Sequence, residues 1–306
     1  MPEPYSISLL NDSFPPLIDG VANTVVNYAR ELTKLGDRAI VVTPEHPDAD
    51  DSRFPFPVAR YPSVDTRRLV GYLLGVLLVA LIAAAATFGW QGYKLYQSAV
   101  QATPLETLYQ SITARPSFVP YDQLPQTYID AVLSVEDSRF VHHHGVDPLA
   151  IARALWADLR SGTLAEGGST ITQQLAKNVY FTQEKRMARK AAEMFAALDI
   201  EKHYSKQEIF EMYVNTIYFG NGCYGVAEAA EGYFKTDAAS LTDAQAVVLA
   251  GLPQAPSVYA SSPALAHKRA RVVLQRMVDC HKLTQDAAAQ LSAETDVIPF
   301  ITRSIA

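Results

Sequence analysis

The longest apolar stretch lies well inside the chain. Residues 69–90 read LVGYLLGVLLVALIAAAATFGW, twenty-two positions without a formal charge. At a rise of about 1.5 Å per residue, such a helix crosses a hydrocarbon core of roughly 30 Å. A helix of that length in a soluble core would normally turn a polar face to water. The pattern therefore predicts a single transmembrane helix over 69–90. A cleaved signal peptide, with AAA or ATF as its cleavage site, is the competing reading. The run lies too deep in the chain for that and exceeds the apolar core of about 7–15 residues in such peptides, so the anchor is expected to remain. Arg67 and Arg68 precede the span and only Lys94 follows it closely. An excess of positive charge stays inside, which predicts a cytoplasmic N-terminus and an exported C-terminal part.

The two sides of the span have different periodicities. Before it, 7–10 read as a strand and 21–35 as a helix with Val21, Val25, Tyr28, Ala29 and Leu32 on one face. Gly36 stops that helix and 39–42 form a second strand. This is the β-loop-α-β opening of a Rossmann-type lobe, within a segment 1–68. After the span, 91–109 read as a helical stalk, and Pro116, Pro120 and Pro125 mark a looped approach that ends at 125. Helices are predicted over 126–138, 149–159, 170–177, 184–204 and 206–217, with three glycines breaking the pattern in 162–168. Further helices are predicted from Leu241, with Thr242 and Asp243 near its start, and over 264–278 and 284–292. Ser205 fits an N-cap with Glu208 as its capping-box partner. Alternating strands are nearly absent, so the fold class is mainly α: a domain over 126–280, then a C-terminal helix and tail over 281–306.

Charge narrows the partners. The formal net charge of -6 averages over two compartments, and from Gln91 onward 19 basic and 22 acidic residues give -3. That is not the basic surface of a nucleic-acid binder. Cys223 and Cys280 are the only cysteines. They are too few for a disulfide scaffold and lack metal-finger spacing, so two core thiols are expected, although they could pair outside the cell.

Three segments carry chemistry. SVEDSRFVHHHGVDP holds Glu136, Asp137, Phe140, His143 and Gly145. A carboxylate among aromatic and histidine side chains at the mouth of a cleft can hold a pKa suited to taking a proton from a sugar hydroxyl, and otherwise reads as a capping acid pair beside a polar loop. The run His142, His143, His144 does not converge on one ion, because adjacent side chains diverge. EGGSTITQQLAKNVYF follows. Ser169 and Thr170 can cap a helix whose N–H groups favour an anion, and Gln173 and Lys177 share one face of it. In EKRMARKAAEMFAALDIEKHY, Arg189, Lys190 and Glu193 fall on neighbouring faces. Five basic residues from Lys177 to Lys190 against Glu184 make a local surplus of +4. Such a patch suits a diphosphate leaving group, or else a solvated face with intrahelical ion pairs.

The order EDSRF-x-x-H-x-G, GGSTITQQLAKN, RKAAE, IFEMYVNTIYFGNGCYG and AGLPQAPSVY, over about residues 95–280, resembles the family 51 peptidoglycan glycosyltransferases. These occur as monofunctional enzymes or as the first extracellular domain of class A penicillin-binding proteins, with a lysozyme-like helical fold. The resemblance implies that Glu136 is the general base on the acceptor's 4-hydroxyl. It implies that Glu193 assists near the diphosphate, with or without a divalent ion such as Mg or Mn there, and that no cofactor is tightly bound. Asp137, His143, Ser169, Thr170, Gln173, Gln174, Lys177, Asn178, Arg189 and Lys190 are the substrate-binding positions it implies; Phe140, Gly145, Glu211, Tyr213 and Asn215 support the cleft. The implied reaction polymerises lipid II into β-1,4-linked glycan with inversion and release of undecaprenyl diphosphate. Its implied partners are lipid II, the growing strand, the bacterial cytoplasmic membrane and a cell-wall synthesis complex.

Residues 5–68 resemble the start of the N-terminal lobe of a family 4 nucleotide-sugar glycosyltransferase, through Asp12, Phe14, Pro15, Pro16, Gly20, Val21 and the strand ending in Val41, Val42 and Thr43. Two strands in about sixty residues cannot build that family's two-lobed cleft. A fused fragment, a recombination product or a misplaced coding start is the expectation, without sugar transfer of its own. Two rival functions remain for the exported part. A lytic hydrolase has no use for the cation cluster, and a non-catalytic scaffold would not need an intact Glu136. No Ser-x-x-Lys, Ser-x-Asn or Lys-Thr-Gly set is present, so peptide cross-linking is not expected.

Overall fold

The computed structural model describes residues 4–12, 14–16, 19–62, 66–161, 168–181 and 187–298. Gly162 and Gly167, the first three residues of the helix expected from Glu184, and 299–306 lie outside the described residues. The chain divides into two compact units, Met1–Ile82 and Ala83–Ala306.

The first unit runs β1 (Ser6–Leu10), α1 (Gly20–Lys34), β2 (Arg38–Pro44) and β3 (Val58–Tyr61). The strands form a parallel sheet in the order β1-β2-β3, with Leu9 opposite Val41 and Val42 opposite Ala59. Asp19 caps α1 by accepting from the Ala22 N–H at 2.6 Å. The buried face of α1, Ala22, Val26 and Ala29, meets Ala39 and Val41 in a small core with Phe14 and Phe56. The expected count of two strands is corrected to three. VARY is too short to stand out as a pattern, and nonlocal bonds hold it. Arg60 forms a bidentate pair with Asp51 at 2.8 and 2.7 Å and donates to the carbonyls of Pro44 and Pro15.

The helix α2 (Thr66–Ala102) contains, over Leu69–Ala102, the one helix among the described residues long and apolar enough to cross a membrane. Leu73, Leu74, Leu77, Leu78 and Leu81 are all exposed. A helix apolar on every side and covered by no protein needs lipid as its solvent. Its 37 residues span roughly 55 Å, more than the hydrocarbon thickness. The expected helix end at 90 and the single stalk helix over 91–109 are therefore corrected. One helix continues to Ala102, Pro104 interrupts the run because it lacks an N–H, and α3 (Leu105–Thr113) starts afresh.

The remaining elements of the second unit are α4 (Gln126–Glu136), α5 (Pro148–Ser161), α6 (Ile171–Tyr180), α7 (Met187–His203), α8 (Lys206–Val214), a hairpin of β4 (Tyr218–Gly220) and β5 (Cys223–Tyr224), α9 (Val226–Phe234), α10 (Asp243–Gly251), α11 (Pro256–Ala260), α12 (Pro263–Asp279) and α13 (Gln285–Val297). The sequence pattern missed the hairpin, α9 and α11. The Ser205 cap with Glu208 is present as a full capping box, and Thr242 caps α10 with Gln245 in the same way. Apart from Asp243 and the half-buried cap residue Gln245, α10 is apolar and buried, against α4, α9, α12 and α13.

Two contacts fix how the approach meets this core. The second half of α2 rests on α7. A Cβ on Gly92 would stand 2.5 Å from the Ala191 Cβ and 2.8 Å from the Ala188 carbonyl oxygen, so only glycine allows the approach. Tyr96 donates to Asp199 at 2.7 Å, and Phe195 packs against Tyr93 and Tyr96. Phe195 is thus used in this seat, and Phe181 packs on the core, while Met187 is exposed. The second contact is Asn215, which accepts from the Val119 N–H and donates to the Val119 carbonyl, both at 2.9 Å and buried. Glu211 accepts from the Tyr121 N–H at 2.6 Å. Asn215→Ala would leave both backbone groups of Val119 unpaired. We expect a loss of about 2–3 kcal/mol, read as a lowered denaturant midpoint at unchanged m-value.

Candidate active site

Helix α4 ends at Glu136 because the next residue leaves helical geometry, with φ -157° and ψ 77° at Asp137. The two acids therefore part. Asp137 turns inward, where its Oδ2 accepts from the Ile171 N–H at 3.0 Å and lies 2.9 Å from His143 Nε2. The Gly145 N–H donates to His143 Nδ1 at 3.2 Å, so Nε2 carries the proton and donates to Asp137. Gly145 adopts φ +91°, and a Cβ there would stand 2.7 Å from the Ala197 carbonyl oxygen. Its own carbonyl accepts from Thr170 Oγ1 at 2.6 Å. His142 and His144, on either side, point to solvent.

These bonds settle what the start of α6 does. Thr170 caps it in a capping box, accepting from the Gln173 N–H while Gln173 Oε1 accepts from the Thr170 N–H at 3.0 Å. The anion at this helix start is the chain's own Asp137, so the expectation of an external anion on these N–H groups is corrected. Gln173, expected to orient substrate, is buried with its amide oxygen in the cap. The adjacent Gln174 faces the cleft and donates from Nε2 to Glu136 Oε2 at 2.7 Å.

Glu136 is half-buried. Burial pushes its carboxyl above the ordinary carboxylate value, and the neighbouring Asp137 adds to the rise; the Gln174 bond, Arg269 and Lys177 oppose it. Glu136 lines a cleft of about 130 Å³ with Ser138, Arg139, Arg153 and Ser169. Gln174 lines a larger one of about 780 Å³ with Lys177, Asn178, Arg115, Tyr218 and Tyr224. The hydrogen bond between Glu136 and Gln174 thus joins the walls of the two clefts.

Helix α7 supplies the cations. Glu193, 2% exposed, has Oε1 3.0 Å from Arg189 Nε and Oε2 3.0 Å from Lys190 Nζ. Lys190 also donates to Ser169 Oγ at 2.6 Å, tying α7 to the segment before α6. The same geometry tests a divalent ion at Glu193. Both carboxylate oxygens face cations, and among the described residues no three His, Cys, Asp or Glu side chains gather. An ion would have to displace Arg189 and Lys190, so the residues do not fit a resident divalent metal.

Sequence reasoning missed one support. Lys206 donates to the His143 carbonyl and to Glu201 Oε1, both at 2.7 Å, Thr172 donates to the same oxygen at 2.6 Å, and the Lys206 ammonium lies 4.4 Å from the Phe140 ring centre. This group ties α6, α7 and α8 to the loop after Glu136. Lys206 and Glu201 stand five apart across a cap, which is no helical spacing, so no local signal marks them. The charge of Arg269 acts on Glu136 through space from α12, equally without a local cue. Cys223 is buried in the core, as expected, whereas Cys280 is half-buried at the Glu136 cleft, so the expectation of a core thiol is corrected for Cys280 alone.

The transglycosylase family model matches residues 102–278, more than half of the chain, and takes in Glu136, Gln174, Lys177, Arg189, Lys190 and Glu193. The chain belongs to the transglycosylase family. Its domain is of the peptidoglycan transglycosylase type, the family 51 kind that the motifs resemble. Penicillin-binding protein 1A of Vibrio cholerae is 46% identical over 168 residues, covering 54% of this chain and 20% of that protein. Penicillin-binding protein 1A/1B of Bacillus subtilis is 44% identical over 164 residues, 53% of this chain and 18% of that protein. The chain spans about a fifth of the length of these curated relatives. A crystal structure of penicillin-binding protein 1A from Haemophilus influenzae aligns with 61% of this chain and 19% of its own, at 25% identity and a TM-score of 0.35.

Proposed function

We propose that this transglycosylase polymerises lipid II into β-1,4-linked glycan by inverting glycosyl transfer, with Glu136 as general base. The observation that carries this reading is the carboxylate of raised pKa at the meeting of two clefts, the larger of which carries Lys177 and Arg115. In this reading Glu136 removes the proton from the acceptor's 4-hydroxyl as that oxygen attacks the anomeric carbon of the donor. The bond to undecaprenyl diphosphate breaks on the opposite face, and Lys177, Arg189 and Lys190 stabilise the departing charge, which is greatest in the transition state. Glu193 is a positioning residue that keeps Arg189 and Lys190 side by side against their mutual repulsion.

Hydrolysis is supported less well. A glycan hydrolase needs a second carboxyl at the scissile bond, and Asp137, the nearest candidate, is buried and bonded to Ile171 and His143. The membrane span fits a substrate with a polyprenyl chain, and the arginines ahead of it favour a cytoplasmic N-terminus with the catalytic domain outside. The partners are then lipid II, the growing strand, the cytoplasmic membrane and a cell-wall synthesis complex.

The experiment is a pH profile of undecaprenyl diphosphate release from labelled lipid II, with metals chelated. A base acts only when deprotonated, and burial raises the pKa of Glu136, so kcat/KM is expected to fall on the acid side at a pH above the ordinary carboxylate value of about 4.3. A rate flat through that region would remove Glu136 from the role of base.

A further inference from the structure

Glu136 does not meet Gln174 alone. Tyr213, 0% exposed on α8, places its hydroxyl 3.2 Å from Gln174 Oε1, while Gln174 Nε2 donates to Glu136 Oε2 at 2.7 Å. We propose that Tyr213 is a positioning residue for the reaction, fixing through the Gln174 amide both the aim and the charge state of Glu136. The proposal rests on the polymerase reading for its kinetic consequence, but the relay itself is a statement about one carboxyl group.

A glutamine side chain can present either its NH2 or its oxygen to a neighbour, and the two ends differ in sign. A phenol that donates to Oε1 holds that end, so the NH2 is turned to Glu136. It also polarises the amide and makes the NH2 a better donor. Tyr213 can only donate in this way while protonated, and burial holds its pKa well above the usual phenol value, so it stays protonated at any working pH. The carboxylate thus receives a hydrogen bond that favours its charged form, within a site where burial disfavours it.

The other groups around Glu136 come from every side. Asp137 and the buried Tyr128 lie on its own helix and chain neighbourhood, Lys177 comes from α6 and Arg269 from α12, while Ala244–Gly251 of α10 carries no titratable side chain. The two cations act through space and survive loss of the relay. Among the described residues the Gln174 bond is the one direct hydrogen bond to the carboxylate, and Tyr213 is what orients it.

The test uses Tyr213→Phe, which keeps the ring and deletes only the hydroxyl. The full chain in lipid vesicles is titrated by infrared difference spectroscopy, with Glu136→Gln identifying the band of this carboxyl. The expected result is a Glu136 pKa raised by about half a unit or more in Tyr213→Phe. With lipid II, the acid limb of kcat/KM should move upward by the same interval, at a KM within about twofold, and raising the pH should restore most of a three- to tenfold loss, a recovery that simple loss of packing would not give. In a double-mutant cycle with Gln174→Met, Tyr213→Phe should add little, because it acts through Gln174. If Tyr213→Phe does not fold, Gln174→Met breaks the same relay at its other link and is titrated in its place. An unchanged carboxyl titration, or effects that simply add, would overturn the relay. Since the titration needs no turnover, a wild-type chain that makes no strands would contradict the polymerase reading and leave the relay judged by its own measurement.

Discussion

Glu136→Gln is expected to lower strand formation by at least about a thousandfold while the protein folds and inserts as before. Glutamine keeps the size of the side chain and can still accept from Gln174 Nε2, so the packing of α4 is undisturbed. It cannot take a proton. The acceptor hydroxyl must then attack without a base, and only the binding and cation contributions to the rate survive. The change also removes a carboxyl whose burial is unfavourable to its charge, so a small gain in thermal stability beside the lost activity is the expected pairing. Equal losses in both would assign Glu136 to structure. The measurement is glycan product per enzyme, with the unfolding midpoint taken on the same preparation.

Glu193→Gln has the second largest expected effect. The carboxylate is 2% exposed between Arg189 and Lys190, and removing its charge leaves two cations facing one another. Breaking a fully buried pair costs about 3–5 kcal/mol. Lys190 is 42% exposed and solvent screens its share, so about 2 kcal/mol is expected, or a Tm about 4–8 °C lower. The rate should fall by about 10²–10³ as the cations lose their setting, with lipid II binding less affected than kcat. Addition of Mg is expected not to restore it, since the site does not fit that ion. A recovery with metal would return Glu193 to the role of ligand.

Local signals in the sequence located elements and caps well. The Ser205 cap with Glu208 needs only neighbours in the chain, and so does an apolar run that crosses a membrane. The roles of the two adjacent glutamines were harder to read, though a cue existed. Gln173 stands three residues after Thr170, the capping-box position, and that spacing assigns it to the cap and leaves Gln174 for the cleft. For β3, Lys206, Glu201 and Arg269 there was no cue, because their partners are distant in sequence or off any helical spacing. The parting of Glu136 from Asp137 turns on a single backbone conformation at Asp137, set by bonds to Ile171 and His143 on other elements.

The most direct measurement of the central claim is to reconstitute the full chain in lipid vesicles with labelled lipid II and resolve the products by length, with Glu136→Gln in parallel. Long strands are expected from the wild-type protein, all cleaved by a muramidase specific for β-1,4 links, and none from the variant. Unpolymerised lipid II from a folded, inserted wild-type protein, or equal strands from both, would contradict it.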